Sequence, residues 1–305
     1  MTAMPVEVTD GRAFFTEDAL VYAGTWIHNG PMEIHSHSFV EIAIVTGGAA
    51  THVSVAGSEQ LRTGDAVFLR PGVWHGYECT RLELYNCCFR SELLHRELAW
   101  IREDPLLGYL VWAGPLAIGR RGVLGTHLDR EALRDCEVHL DALDRLRHRP
   151  PHLHRSDIVS RLTLVLGHLA RSVAVAHELP TDPERTHPVA VEAMRLLESE
   201  LSHPWTLTDL ADRLHVSRSY LLRLFKDTSG LPPMAYLARR RVETAAEQLL
   251  HSTEPVSQIG RAVGWPDQNY FARRFKAHFG LSATTYRDRF AHGARRLGDL
   301  PTCRS

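Results

Sequence analysis

The sequence has few cysteines and no long apolar segment. Its five cysteines, in a chain of 305 residues, are odd in number and scattered: Cys79, Cys87, Cys88, Cys136 and Cys303. This pattern excludes the disulfide framework of a small secreted protein and is typical of a reducing compartment. Residues 1–15 contain Glu7 and Asp10 and lack the apolar run of a signal peptide. No apolar stretch approaches the length that a membrane span needs, so we expect a cytoplasmic protein without membrane contact.

Lysine is scarcer still, and charge is divided unevenly along the chain. The only lysines are Lys226 and Lys276. Residues 1–186 hold 18 arginines against 24 acidic residues, a net charge of −6, whereas residues 187–305 hold 17 basic and 12 acidic residues, a net charge of +5. The length suggests two domains, each large enough to bury its own core. A basic C-terminal half suits DNA as a partner, because neutralising phosphates supplies much of the affinity.

The C-terminal half contains an internal repeat with an offset of fifty residues. The first copy reads Arg-Leu-Phe-Lys from Arg223 and reaches a Gly-Leu pair at Gly230. The second copy reads Arg-Arg-Phe-Lys from Arg273 and reaches a Gly-Leu pair at Gly280, and the two lysines occupy the same position in both copies. Two copies are too few for a solenoid, so the repeat predicts a paired module.

Each copy predicts a helix, a tight turn and a second helix. In the first copy, Thr206 or Thr208 can cap the first helix and Ser217 the second. In the second copy, Ser257 and Asp267 are the expected caps, on either side of a Gly-Trp-Pro turn. This is the geometry of a helix-turn-helix unit, whose second helix can enter the major groove of DNA.

The C-terminal half resembles the DNA-binding domain of AraC-family transcription regulators. The resemblance rests on a Leu-Ala or Ile-Gly pair in each first helix, a Gly-aromatic turn, the run Tyr-Phe-x-Arg-x-Phe-Lys, and a later Gly and Tyr-Arg. It covers roughly residues 187–290, with a central helix from Pro233 to Leu250 between the two units. The chain departs from the usual residues at four positions without losing a core anchor: Gly260, Trp265, Asn269 and Ala283.

The N-terminal region predicts short strands separated by glycine turns, as in a barrel or a sandwich. Within it, Gly30, His35, His37, Glu41 and Gly47 are followed by Gly64 and the run Pro-Gly-Val-Trp-His that ends at His75. These segments resemble the two cupin motifs, a barrel that AraC-family members often carry. The spacings differ by one residue from the enzyme pattern, and Cys79 stands where Asn is typical.

The resemblance gives the cupin motifs two alternative functions. In metal-binding cupins the counterparts of four residues hold one metal: His35, His37, Glu41 and His75. Three imidazoles and a carboxylate suit Zn, Fe, Mn or Ni. In sensor cupins the same residues instead form the hydrogen-bonding lining of an effector pocket, at a barrel mouth that suits a small ligand such as a sugar. Trp74 either offers that ligand a stacking face or belongs to the core.

Helices are expected after the strands, at Glu92–Ile101, Arg130–Arg147 and from Ser156 or Asp157 onward, with Pro105–Gly125 irregular or in short strand. The last helix has an apolar stripe at spacings of three and four: Ile158, Val159, Leu162, Val165, Leu166, Leu169 and Val173. The family resemblance implies that this stripe forms a homodimer; the alternative is that it covers the barrel. Three prolines mark a linker. The expected domains are 1–178 for effector binding and dimerisation, 179–188 as linker, 189–292 for DNA binding and 293–305 as a tail.

The predicted DNA-contacting residues are those of each second helix that face away from its apolar side. They are Arg218, Ser219, Leu222, Arg223 and Lys226 in the first unit, and Gln268, Asn269, Ala272, Arg273 and Lys276 in the second, where Tyr270, Phe271 and Phe275 are expected to point inward. Arg223 and Arg273 are the best base readers, since a guanidinium can bond guanine O6 and N7 together. The lysines suit phosphate or the helix end.

The sequence therefore favours an α+β protein of two domains, a cupin-like β-barrel with helices followed by an all-α domain with two helix-turn-helix motifs. Three function classes remain. The first is an effector-responsive transcription regulator on double-stranded DNA, with RNA polymerase as a further partner; an activator is expected, although the sequence does not distinguish it from a repressor. The second is a metal-dependent cupin enzyme such as an oxygenase or isomerase, and the third is a redox sensor that uses Cys87 and Cys88. The redox class is the weakest, because adjacent cysteines form only a strained disulfide and no neighbour lowers a thiol pKa.

Overall fold

The computed structural model describes residues 19–117, 119–179 and 187–291. Within them, the N-terminal half contains one antiparallel sheet of seven strands, in the order β1-β6-β3-β5-β7, with β2 paired to β6 and β4 paired to β3. The strands are β1 (Val21–His28), β2 (Met32–Ser36), β3 (Val40–Ser54), β4 (Gly57–Arg62), β5 (Asp65–Leu69), β6 (Trp74–Phe89) and β7 (Val123–His127).

Two long strands, β3 and β6, form the centre of the sheet and separate two cores. Because side chains alternate along a strand, Ile42 and Ile44 pack on the face that is covered by helices, whereas Ala43 and Val45 pack on the opposite face. The pairing of β3 with β6 shifts register around Gly48, which has φ +76 and where a Cβ would lie 2.3 Å from the carbonyl oxygen of Arg81. Such an irregularity bends a strand.

The helices of the N-terminal half cover one face of the sheet. They are α1 (Pro105–Gly108) and α2 (Gly114–Leu116), joined by the π-helical turn Tyr109–Ala113, then α3 (Arg130–Leu146) and α4 (Arg155–Ala176). The expected helix Glu92–Ile101 is instead two 3₁₀ turns, Ser91–His95 and Ala99–Arg102. The segment Pro105–Gly125, expected to be irregular or in short strand, is helical from Pro105 to Leu116. Asp104 caps its start by accepting hydrogen bonds from the amides of Leu106 and Leu107.

The apolar stripe of α4 is buried within the chain, so its prediction as a dimer interface is wrong. Six of its seven residues are at most 4% exposed: Ile158, Leu162, Val165, Leu166, Leu169 and Val173. They pack with α3 and the covered face of the sheet. By length and composition, α4 is also the one helix among the described residues that could cross a membrane, whereas the sequence predicted no segment of sufficient length. Its apolar face, however, lies in the protein core.

The C-terminal half is entirely helical in its described part, residues 187–291. Its helices are α5 (Pro188–Ser199), α6 (Leu207–Arg213), α7 (Arg218–Ser229), α8 (Pro233–His251), α9 (Val256–Ala262), α10 (Gln268–Phe279) and α11 (Ala283–Phe290). Thus α6 and α7 form one helix-turn-helix unit, α9 and α10 form the other, and α8 connects them. An antiparallel sheet domain followed by a helical domain confirms the predicted α+β class with two domains. Most of the predicted linker (180–186) and the tail (293–305) lie outside the described residues.

Most predicted helix caps are confirmed. Thr206 forms a capping box with Asp209, the Ser217 hydroxyl accepts from the Tyr220 amide, and Asp267 accepts from the amides of Asn269 and Tyr270. The prediction for Ser257 is wrong, because Ser257 lies inside α9, which begins at Val256 and follows Pro255 without a side-chain cap. Both second helices end at a left-handed glycine, Gly230 and Gly280, as helices commonly do.

Candidate functional sites

All ten residues predicted to contact DNA are exposed on α7 and α10. The residues that anchor these helices are buried, with Leu221, Phe225, Phe271 and Phe275 at most 1% exposed. This arrangement follows from the amphipathic pattern of each helix. One expectation is wrong: Tyr270 is 40% exposed rather than buried.

A tyrosine supports the candidate base-reading arginine in each unit, a feature that sequence reasoning missed. The guanidinium carbon of Arg223 lies 5.6 Å from the ring centroid of Tyr220, and that of Arg273 lies 5.9 Å from the ring centroid of Tyr270. These are cation–π contacts between residues three apart on a helix. The signal was present in the fifty-residue offset, which aligns Tyr220 with Tyr270. Both units therefore hold an arginine in the same local orientation.

The four cupin-motif residues meet on one face of the sheet. His35 of β2 is paired with His75 of β6, and their ring centroids are 4.3 Å apart. Glu41 of β3 lies with Oε2 2.8 Å from Nε2 of His37 and 3.6 Å from Nε2 of His75. All four are at most 4% exposed. The structure thus gathers His35, His37, Glu41 and His75 into one buried polar group, which we call the histidine cluster.

The histidine cluster extends to two residues that were not predicted, His52 and Tyr77. They face each other across β3 and β6, and their rings lie 5.5 Å and 5.7 Å from the ring of His75. His52 lay within a predicted strand, but the sequence does not reveal the register that brings it to His75. We include both residues in the histidine cluster from here on.

The histidine cluster contains polar atoms without a hydrogen-bond partner among the described residues. They are both ring nitrogens of His75, Nε2 of His52 and the hydroxyl of Tyr77. Leaving such buried atoms unpaired costs about 1–3 kcal/mol each. Their convergence makes the histidine cluster the candidate site for a polar ligand or a metal.

Burial determines the protonation states of the histidine cluster. It lowers the pKa of His35 and of His75, and it lowers the pKa of His52 to about 4. Burial alone would raise the pKa of Glu41, but the adjacent imidazoles of His37 and His75 hold that pKa well below its usual range. At neutral pH His35, His52 and His75 are therefore neutral imidazoles beside the Glu41 carboxylate, and both species suit ligand or metal binding.

Three residues of the histidine cluster have a geometry that fits a metal ion. One ligand atom from each of His35, Glu41 and His75 lies within 4.8 Å of the others. His35 donates its Nδ1–H to the carbonyl oxygen of Glu33 at 3.0 Å, which leaves Nε2 available. A backbone partner of this kind commonly orients a metal-bound imidazole. In His37, by contrast, Nδ1 donates to the carbonyl oxygen of Phe39 at 2.9 Å, and Nε2 already lies 2.8 Å from Oε2 of Glu41.

Trp74 does not join the histidine cluster. Its indole N–H donates to the carbonyl oxygen of Phe279 at the end of α10, at 2.8 Å. Because neighbouring side chains on a strand point to opposite sides, Trp74 contacts the helical domain while His75 contacts the cluster. This placement does not support Trp74 as a stacking face for the same ligand.

The strands that carry the histidine cluster also contact the DNA-binding domain. Ser36, between His35 and His37, donates to the hydroxyl of Tyr286 at 2.8 Å, and that hydroxyl donates to the carbonyl oxygen of Gly72 at 2.8 Å. Arg70 forms a buried bidentate ion pair with Glu243 of α8, at 2.8 and 3.0 Å. The cluster and the helical domain are thus joined through adjacent residues of β2 and of the 70–74 segment.

Cys87 and Cys88 do not form a redox site. Cys87 and Cys88 are free and fully buried, and burial raises the pKa of both thiols, that of Cys87 to about 12. A redox-sensing cysteine needs an exposed thiol with a lowered pKa. The redox-sensor class is therefore contradicted at this pair.

Comparison with known proteins agrees with both parts of the structure. The AraC-like ligand binding domain model matches residues 22–115, and a helix-turn-helix domain model matches residues 210–289. The class defined by the fold and the sites is a two-domain protein with a ligand-binding sheet domain and a paired helix-turn-helix domain. The chain belongs to the AraC family of transcriptional regulators.

Individual relatives differ in how much of the chain they share. The chain is 34% identical over 137 residues to an AraC-like transcription regulator of Streptomyces antibioticus, covering 45% of that protein, less than half its length. It is 28% identical over 257 residues to the transcriptional activator RhaS of Escherichia fergusonii, covering 83% of this chain and 86% of that one. The crystal structure of ToxT from Vibrio cholerae shares the fold, with a TM-score of 0.52 at 13% identity, over 89% of this chain and 99% of that one.

Proposed function

We propose that this protein is a sequence-specific DNA-binding transcriptional regulator controlled by a small molecule that binds in its N-terminal domain. The observation that carries the proposal is the pair of exposed second helices, each with a tyrosine-supported arginine. Helix α8 has 19 residues and so spans about 28 Å. It can place the two units in successive major grooves, which are about 34 Å apart.

A gel shift with the full-length protein and the DNA upstream of its own gene tests DNA binding. We expect a complex that survives excess scrambled duplex and weakens as salt increases, because phosphate contacts release counterions. Equal competition by scrambled and cognate duplex would contradict sequence-specific binding.

For the effector, we propose a hydroxylated small molecule such as a sugar, bound at the histidine cluster. Support comes from the unpaired ring nitrogens of His75, Nε2 of His52 and the Tyr77 hydroxyl, which together offer donors and acceptors. Hydroxyl groups both donate and accept, so they can satisfy such atoms in any tautomer. A thermal-shift screen of full-length protein against sugars and polyols tests this. A hit whose stabilisation persists unchanged in His75→Phe contradicts the site.

The second candidate is a divalent metal, Zn, Fe, Mn or Ni, held by the same cluster. The grouping of His35, Glu41 and His75 within 4.8 Å favours it, with His37 as a further donor. When bound, the metal would supply either a structural link between β2, β3 and β6 or a direct contact to an effector. The relatives are transcription regulators, which favours regulation over the alternative of a metal-dependent cupin enzyme.

Metal analysis of purified untagged protein separates these candidates. A metal site predicts about one equivalent per chain and its loss in His35→Ala, because imidazole and carboxylate ligands must act together. A content below roughly a tenth of an equivalent, unchanged in the variant, leaves the metal-free effector site.

We extend the proposal to an activator in the cytoplasm that acts as a homodimer and contacts RNA polymerase. Relatives such as RhaS are described as activators, which supports the direction of control. Since the stripe of α4 is buried, we assign the homodimer interface to the outer surface of α3 and α4, where Val138 is 61% and Leu164 is 47% exposed. Sedimentation of the full-length protein and of Leu164→Asp tests this; a wild-type monomer at tens of micromolar contradicts it.

A further inference from the structure

A second concave site lies between the two halves of the molecule, away from the histidine cluster. The cavity has a volume of about 260 Å³. Gly119 and Arg121 line it from the loop before β7, Arg239 from α8, and Arg274 and His278 from α10. Three arginines from three separate segments thus converge on one cavity.

The three arginines have no carboxylate partner among the described residues. Arg121 and Arg239 donate only to backbone carbonyl oxygens, those of Val55 at 3.2 Å and Ala117 at 3.3 Å. The nearby carboxylate of Glu243 is already paired with Arg70 and Arg240. Cations that are partly removed from water normally acquire a counter-charge, so the cavity has an excess of positive charge.

Two further features indicate a binding site here. Nε2 of His278 is buried and has no hydrogen-bond partner among the described residues. Burial, together with Arg239 and Arg121, lowers the pKa of His278 to about 4, so the ring is neutral at pH 7. Arg121 has φ +48, a left-handed conformation that is strained for a non-glycine residue. Such strain persists where a structure fixes a side chain, frequently at ligand sites.

We propose that this cavity binds the phosphate group of a small phosphorylated metabolite and so bridges the two domains. A phosphate monoester carries a charge of about −1.5 to −2 and three acceptor oxygens, which matches three guanidinium groups better than a carboxylate does. Guanidinium groups bind phosphate oxygens in pairs of parallel hydrogen bonds. Ala238, Val242 and Ala277 complete the lining and suit the less polar part of such a ligand. This site goes beyond the proposed effector site and does not depend on it.

The position of the site links it to DNA reading. Arg274 belongs to α10, the second helix of the second unit, and is the next residue after the candidate base reader Arg273. Arg273 is exposed on the outer face, whereas Arg274 is half-buried against the N-terminal half. A ligand held by Arg121 and Arg274 together would therefore fix α10 relative to the sheet domain.

The test is titration of full-length protein, without DNA, with inorganic phosphate at constant ionic strength, followed by calorimetry and by the unfolding midpoint. We expect saturable binding and a rise in the midpoint that follows ligand occupancy. Arg239→Gln and Arg274→Gln should each weaken phosphate binding at least about tenfold, because each removes a charge-assisted hydrogen-bond pair. Arg273→Gln is the matched control: it should keep phosphate binding and lose DNA affinity.

Three outcomes would overturn the proposal. Equal binding of phosphate by wild type and Arg274→Gln would place phosphate elsewhere, and loss of binding in Arg273→Gln would assign it to the DNA-reading surface. Acetate binding as tightly as phosphate would indicate a carboxylate site. If one variant fails to fold, judged by circular dichroism, the other decides. Phosphate binding without DNA binding would contradict only the proposed function. DNA binding without phosphate binding would contradict only this site.

Discussion

Arg223 and Arg273 combine exposure with a fixed orientation, because each guanidinium lies over a tyrosine ring one helical turn away. Less side-chain freedom is then lost when a base is bound. We expect Arg223→Ala to weaken binding to the cognate site by about 1–3 kcal/mol and to relax the preference at one base pair. Titration of labelled cognate duplex and of single-base variants measures both effects. Unchanged affinity would reject this role for Arg223.

Lys226 provides the comparison within the same helix. It lies in the last turn of α7 and is exposed. If it contacts phosphate, Lys226→Ala should weaken binding to cognate and scrambled duplexes alike and reduce the slope of log affinity against log salt by about 1. A loss confined to the cognate duplex would make it a base reader instead.

Glu247 of α8 predicts how stability depends on pH. Burial raises the pKa of its carboxyl to about 7, with Glu243 and Glu92 adding to this and Arg240 and Arg70 opposing it. Between the ordinary value of 4.5 and about 7, the native state holds a proton that the unfolded chain releases. This group therefore makes the free energy of unfolding fall as pH rises through that window.

The variant Glu247→Gln removes this proton uptake. The difference in free energy of unfolding, variant minus wild type, should be smallest near pH 4.5, grow toward pH 7 and stay level above it. Urea titrations across that range measure it. The exposed carboxylate Glu254 supplies the control Glu254→Gln, for which the difference should stay flat. A flat difference for Glu247→Gln as well would show that this carboxyl does not bind a proton in the native state.

At the scale of elements, the segment before β6 fixes how the two halves dock. Gly72 has φ +81, and a Cβ there would lie 2.8 Å from Cβ of Ala246 and 3.2 Å from Cζ of Phe279. Gly72→Ala should therefore destabilise the protein by the backbone strain and by a further amount of about 1–3 kcal/mol for overpacking. Gly280→Ala is the matched control, since Gly280 has a similar φ of +73 but an added Cβ would contact nothing within 4 Å. Equal losses in urea unfolding would mean that no clash occurs.

Elements were predictable from the sequence where a local pattern determines them. The fifty-residue repeat located both helix-turn-helix units, and Ser217 and Asp267 marked where their second helices begin. The partner of an apolar face was not predictable, because the stripe of α4 has the same spacing whether it packs in a core or in a dimer. The register that pairs His52 with Tyr77 is likewise a long-range property of β3 and β6.

At the scale of the whole molecule, one apolar core continues from the sheet domain into the DNA-binding domain. It includes Leu110 and Trp112 from the first half, and Met194, Phe225 and Tyr236 from the second. The ends of both second helices contact the first half: Ser229 of α7 shares a small cavity with Trp112, and the carbonyl oxygen of Phe279 in α10 accepts from Trp74. Both second helices therefore pack against the sheet domain as well as within their own domain, which neither half of the sequence reveals alone.

This contact predicts that DNA binding changes the local stability of the strands that carry the histidine cluster. If the two sites are coupled, the influence is reciprocal, so duplex DNA should slow amide hydrogen exchange in β2 and at the start of β6. The double variant Tyr286→Phe with Trp74→Phe removes the hydrogen bonds to Ser36, Gly72 and Phe279.

In that double variant, DNA should still protect α7 and α10 but protect β2 and β6 much less, because the helices and the strands no longer share these hydrogen bonds. Tyr85→Phe is the matched control, since it also loses one tyrosine hydrogen bond, to Asp141, but within the sheet domain. In Tyr85→Phe, DNA should protect β2 and β6 as it does in the wild type. If DNA protects β2 and β6 as fully in the double variant as in the wild type, these hydrogen bonds do not couple DNA binding to the strands. The coupling must then pass through the shared apolar core or through Arg70 and Glu243.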